Sequence, residues 1–270
     1  MTSATNTRTK NFFPLLPFVA SSIKLFLLIT SYLSGIFYNK TLHYLPHPSE
    51  LTVSEPERGI FGMALTLGSM LTFCVCTLRY VQINNVYPRK YRTLNMISLS
   101  LGVLMVTATM ASIVYPVDGT WSVVHLPAIC VFYISAALYM TTQTHISQNT
   151  EPFYNKCVCG VRIACSVLSM CIPIVYTLSR LLITTDRRWY GIPAACEWFM
   201  HLLLIVYIYT FCADFNKVKI RSYIYDETIS QTGSFRNGTN YVDYLRSQAR
   251  ARRKVSEGQS HIKYHVNTQL

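Results

Sequence analysis

Six stretches of the chain are almost wholly apolar, at about 15–38, 60–80, 95–116, 121–142, 158–179 and 192–213, with short polar segments between them. A helix needs roughly 20 mostly apolar residues to cross the hydrocarbon of a bilayer, and each stretch reaches that length. Apolar and polar positions do not alternate within them, which excludes the in–out pattern of a membrane β-barrel. Lipid offers no partner to a bare backbone N–H or C=O, so each stretch must satisfy its own groups as a helix. The pattern predicts an all-α, polytopic membrane protein. A six-transmembrane-helix bundle spans 15–213, preceded by an N-terminal segment over 1–14 and followed by a flexible tail over 214–270.

The first stretch is too long for the core of a signal peptide and no clear small-residue cleavage pattern follows it, so it is expected to be a retained anchor. Between the third and fourth stretches, Tyr115-Pro116-Val117-Asp118-Gly119-Thr120-Trp121 reads as a tight turn ending on an interfacial tryptophan.

Composition narrows the class. The 270 residues are 51% hydrophobic and only 13% charged, where soluble domains carry about a quarter charged residues. Positions 93–150 hold a single formal charge, Asp118, and cannot form a water-facing surface. A soluble enzyme, a disordered chain and a secreted disulfide-stapled module are thereby excluded. The nine cysteines all lie inside or at the ends of the spans, which argues against a disulfide framework. Cys157 and Cys159, at a span boundary, are candidates for acylation or simply for packing as small hydrophobes.

Charge sets the orientation. With the N-terminus in the cytosol, 17 of the 24 Lys and Arg fall on the cytosolic side. Five fall opposite, namely Lys40, Arg58, Arg180, Arg187 and Arg188. The positive-inside rule then puts both termini in the cytosol. In that frame the sequon Asn39-Lys40-Thr41 is lumenal, and Asn237-Gly238-Thr239 is cytosolic and unmodified. The tail beyond 214 carries ten basic and four acidic residues, clustered at Arg246, Arg250, Arg252, Arg253 and Lys254. Such a run is attracted to anionic phospholipid by about 1 kcal/mol per basic side chain; the alternative is a solvated tail that only fixes orientation. Phosphorylation of Ser256, just after the cluster, would weaken a lipid contact. No folded reader accompanies the charge, so nucleic acid is not an expected partner.

Polar groups inside spans are costly and mark sites of interest. Glu57, Arg58, His125, Glu197 and His201 map to the lumenal half in this frame. Glu197 and His201 are four apart and share a helix face. Three arrangements suit the set: an internal clasp in which Arg58 pairs with Glu197, a pocket for a lipid headgroup, or a metal-dependent hydrolase with His125, His43 or His47 as third ligand. The spacing is not His-Glu-x-x-His, and no Ser-His-Asp or Gly-rich phosphate signature occurs. No catalytic residue, metal or cofactor is therefore assigned. Lys24, within the first span, is expected to snorkel toward water. Arg79, Arg162 and Asp214 are expected to stand near cytosolic span ends and to need only to reach the interface.

Several short motifs carry a family resemblance. They are Pro48-Ser49-Glu50; Pro56-Glu57-Arg58-Gly59-Ile60-Phe61-Gly62; Leu78-Arg79-Tyr80; Ala194-Ala195-Cys196-Glu197-Trp198; and Asp214-Phe215-Asn216-Lys217-Val218. In this order and at these span boundaries, the chain resembles the damage-regulated autophagy modulator (DRAM) family. That family is grouped with fungal cell-wall and GPI-lipid remodelling membrane proteins under a shared six-span domain. The chain departs from it in the first lumenal loop, where Pro48-Ser49-Glu50-Leu51-Thr52 replaces an Ile-Ser-Asp-x-Gly-like turn. The resemblance implies a non-enzymatic regulator of autophagy in lysosomal or other endomembranes, with membrane lipids and unidentified proteins as partners, and it implies that Glu57, Arg58 and Glu197 matter. Alternatives are a GPI-anchor lipid-remodelling factor of the Golgi or ER, and a plasma-membrane scaffold for a phosphoinositide kinase.

Overall fold

A computed structural model describes residues 12–37, 45, 47, 48, 57–87, 89–115, 122–150, 155–183 and 191–217. Both sequons, His43 and the basic tail cluster lie outside these residues. The described chain is helical: α1 Leu15–Phe37, α2 Glu57–Val86, α3 Arg92–Val114, α4 Ser122–Gln148, α5 Lys156–Ile183 and α6 Gly191–Lys217. Among the described residues, α1 and α3 to α6 are each long and apolar enough to cross a membrane. The run 61–78 of α2 contains no charged residue. The molecule is a polytopic bundle of six membrane helices.

The helices outrun the apolar stretches that announce them. α2 continues to residue 86 rather than 80, α4 to 148 rather than 142, and α5 to 183 rather than 179. Hydropathy marks only the lipid-facing slab, whereas a helix persists while its polar residues find partners inside the bundle. Gln82 and Ile83 on α2, and Gln143 and Ser147 on α4, are buried in these extensions. Local signals fix some ends. Asn155 caps α5, its side-chain oxygen accepting from the Cys157 N–H at 3.1 Å.

Each helix packs on the next in sequence, and α6 returns to lie against α1, closing a ring; α4 also touches α6 across the middle. Small residues bring the backbones close. Ala20, Ala136, Ala194 and Ser98 are fully buried, and a Cβ on Gly102 would stand 3.1 Å from Cys76 Sγ. The surface is apolar as well as the core: Phe26, Met63, Ile174, Leu181 and Phe199 all point outward. The core includes Met105, Phe132, Tyr133, Tyr139, Met140, Tyr207 and Phe211. This distribution suits a chain whose solvent is hydrocarbon.

Candidate functional site

The polar groups inside the bundle form two layers. The lower end holds the starts of α1, α3 and α5 and the last turn of α6; the upper end holds the starts of α2, α4 and α6.

The lower layer centres on Asp214. Its Oδ2 accepts from Arg79 Nη1 of α2 at 3.0 Å and from Arg162 Nη2 of α5 at 2.8 Å, with all three side chains essentially inaccessible. Two buried cations sharing one anion need further acceptors, because an undercompensated buried charge costs several kcal/mol. α4 supplies most of them. Ser147 Oγ accepts from Arg79 Nη2 at 2.9 Å and from Arg162 Nη1 at 2.8 Å, while donating to the Gln143 carbonyl. Gln143 Oε1 accepts from Arg79 Nε, Gln82 Oε1 from Arg79 Nη1, and Thr210 Oγ1 from Arg162 Nε. The two amides are themselves anchored, Gln143 Nε2 donating to Ser98 Oγ of α3 and Gln82 Nε2 to the Asp214 carbonyl. The Phe211 ring lies 5.2 Å from the Arg79 guanidinium carbon and 4.9 Å from that of Arg162, adding cation–π attraction in a dry setting. Five helices thus meet at one polar knot.

Here the structure corrects the sequence reading. Arg79, Arg162 and Asp214 do not merely reach an interface; they are turned inward and bonded to one another. Depth along a helix is legible from residue counting, but the direction a side chain faces depends on its neighbours. The available signal was the company they keep: Gln82, Gln143, Ser147 and Thr210 stand at matching depth on otherwise apolar helices.

The upper layer holds the sequence-selected residues. Glu197, in the second turn of α6, is buried, and its Oε1 lies 3.0 Å from Nδ1 of the equally buried His47. The expected pairing of Arg58 with Glu197 rests on a side chain outside the described residues. Glu57 and Arg58 occupy the first turn of α2, but their side chains lie outside the described residues. His125 Nδ1 faces two carbonyls, Tyr115 at 2.7 Å and Ser112 at 3.1 Å. That nitrogen therefore carries the proton, and in the neutral ring Nε2 is left as an acceptor. Nε2 is buried and has no hydrogen-bond partner. The same holds for the hydroxyl of Tyr133, whose ring meets Tyr176 edge-on at 5.1 Å. His201 stacks on Phe132, with centroids 5.1 Å apart.

His125, Tyr133, Glu197 and His201 line one small cavity between α2, α3, α4 and α6, about 40 Å³ in volume. A water needs at least roughly 10–15 Å³ of such space, so about three fit. By helix rise, Glu197 lies about 9 Å and His125 about 5 Å below the upper helix ends. Among the described residues, no three His, Cys, Asp or Glu side chains converge as a metal site would require.

Lys24 is half-buried on α1. Its stem packs on α2 at Gly68, where an added Cβ would meet Lys24 Cγ at 3.0 Å. Cys157 is exposed in the first turn of α5, Cys159 is buried, and all nine cysteines are free thiols.

Comparison with known proteins covers the same region. Residues 12–218 match the family described as the Frag1/DRAM/Sfk1/Cwh43P N-terminal domain. The mouse DNA damage-regulated autophagy modulator protein 1 is 26% identical over 212 residues, covering 72% of this chain and 87% of the relative. The mouse DNA damage-regulated autophagy modulator protein 2 is 27% identical over 218 residues, covering 72% and 80%. A Xenopus laevis protein named modulator of macroautophagy TMEM150B-A is 25% identical over 171 residues, covering 63% and 71%. No solved structure matches.

Proposed function

Because the chain belongs to the Frag1/DRAM/Sfk1/Cwh43P family, we propose that it is a DRAM-like modulator of autophagy. It resides in an endomembrane, the lysosomal membrane first among them, and acts through lipid or protein contacts rather than catalysis. Both termini face the cytosol and the upper cavity faces the lumen.

The observation that carries this reading is the extent of the likeness. Relatives named as autophagy modulators align with most of the six-helix bundle, not with one span. An aligned apolar span would mean little, since hydrophobic helices resemble one another; the family match instead runs through all six helices, over residues 12–218.

The test is imaging of the tagged full-length chain together with autophagic flux after its removal. Lysosomal or late-endosomal signal and reduced flux are expected. Residence in Golgi or ER, with altered GPI-anchored surface proteins and normal flux, would replace this reading with lipid remodelling. Residence at the cell surface with loss of phosphoinositide kinase recruitment would replace it with a scaffold.

A further inference from the structure

The upper cavity has a chemical bias that none of its family likenesses explains. Its α4 wall carries two buried polar atoms with nothing in the fold to bond: His125 Nε2, on a residue 5% exposed, and the Tyr133 hydroxyl, on a residue 1% exposed. An orphan of that kind costs about 1–3 kcal/mol. Native bundles keep such orphans where something else satisfies them.

An inventory of donors and acceptors says what that is. Nδ1 of His125 donates to two carbonyls, so Nε2 can only accept while the ring is neutral. Thr109 and Ser112 each spend their proton on a carbonyl of their own helix, at 2.9 and 2.8 Å, leaving oxygen lone pairs. Glu197 contributes a carboxylate. Tyr133 adds a hydroxyl, and the faces of Phe132 and Tyr133 add π density. Among the described residues, no Lys or Arg lines the cavity. The walls are rich in acceptors, include the carboxylate that also meets His47, and present aromatic faces, a combination that attracts a group bearing several N–H donors.

We propose that the cavity bounded by His125, Tyr133 and Glu197 binds a small primary ammonium group. Size and donor count select it. An –NH3+ occupies about the space of one water and offers three donors to these acceptors, whereas a trimethylammonium offers none. The group can come from an ethanolamine phospholipid entering at headgroup depth or from a free amine in the aqueous phase. This proposal rests on the reading of the bundle as one that works through ligand contact, and its test is independent of flux or localisation.

The full-length protein is reconstituted into phosphatidylcholine nanodiscs with and without phosphatidylethanolamine. Lipids co-released with the protein are read by native mass spectrometry. Free ethanolamine is titrated separately, with the fluorescence of Trp198, next to Glu197, as reporter. Preferential retention of the ethanolamine lipid assigns the lipid source. A saturable fluorescence change without lipid preference assigns the free amine. Either effect should weaken about fivefold in Tyr133→Phe, the loss of one neutral hydrogen bond, and about tenfold or more in Glu197→Gln.

Tyr133→Phe is the decisive variant. It removes a hydroxyl that the fold does not use, so its melting temperature should match or exceed that of the wild type, unlike Glu197→Gln, which also weakens the contact with His47. Gly160→Ala, with nothing within 4 Å of the added carbon, is the control. Absence of both effects in folded wild-type protein overturns the proposal and leaves the cavity to water. Binding undiminished in Tyr133→Phe and Glu197→Gln overturns it as well, because the ligand then sits elsewhere. Reduced flux with no amine binding would sink this proposal while leaving the autophagy reading intact.

Discussion

Arg79 Nη1 and Asp214 Oδ2 stand 3.0 Å apart across 135 positions of sequence, both out of reach of solvent. Removing the carboxylate takes from both guanidinium groups the anion they share in a dry interior. Asp214→Asn is expected to destabilise the bundle by about 3–5 kcal/mol, the usual consequence of breaking a buried pair from one side. Thermal unfolding of the purified protein in detergent measures this, and an unchanged melting temperature would refute the role given to Asp214.

Ser147→Ala tests how far α4 participates. The serine hydroxyl accepts from both arginines at 2.9 and 2.8 Å, and bonds to charged donors contribute about 1.5–3 kcal/mol each in context. A loss of about 3 kcal/mol is expected, the lower end for two such bonds. Combined with Asp214→Asn, the two losses should fall short of additive, since both mutations strip the same arginines. Strict additivity would mean that Ser147 acts on something else.

Two glycines should respond in opposite ways to the same change. At Gly102 an added methyl meets Cys76 Sγ at 3.1 Å, Cys76 Cβ at 3.2 Å and Tyr139 Cε2 at 3.4 Å. Overpacking of this kind costs about 1–3 kcal/mol. Gly160 has open space around it, and alanine there should be neutral or add up to about 1 kcal/mol through helix propensity. Unfolding of the two variants side by side provides the measurement; equal effects would contradict the packing described for α2, α3 and α4.

Orientation predicts an asymmetry in protease access. In sealed microsomes, protease added outside should remove a tag placed after residue 270 and spare one inserted between 38 and 56. Asn237 should carry no glycan. A glycan on Asn237 would turn the molecule over, placing the acceptor-rich cavity on the cytosolic side.

Much of the architecture was legible because lipid allows few choices. Once 15–38, 95–116 and 192–213 are known to be apolar, helices are the only way to hold their backbones, and the structure adds mainly length. The candidate site was legible in part. Glu197 and His201 share a face by their spacing, and His125 lies at similar depth, but the meeting of His47 with Glu197 joins a loop residue to a helix 150 positions away, which no local pattern encodes. Tyr133 escaped notice for a different reason. A tyrosine on an apolar helix looks like ordinary core, and only the structure shows that its hydroxyl reaches no partner. Arg79 and Asp214 both stood within motifs that carried the family resemblance. Their union was invisible because it depends on which faces α2 and α6 turn toward each other.

The shared carboxylate also constrains how the molecule can be made. Synthesis runs from N- to C-terminus, so the second and fifth helices leave the ribosome with their guanidinium groups before the sixth exists. Until residue 214 is translated, those early segments lack the carboxylate that joins them in the finished bundle. A premature stop in the last thirty codons of the bundle would strand both arginines and mark the product for disposal, although five complete spans had already been inserted.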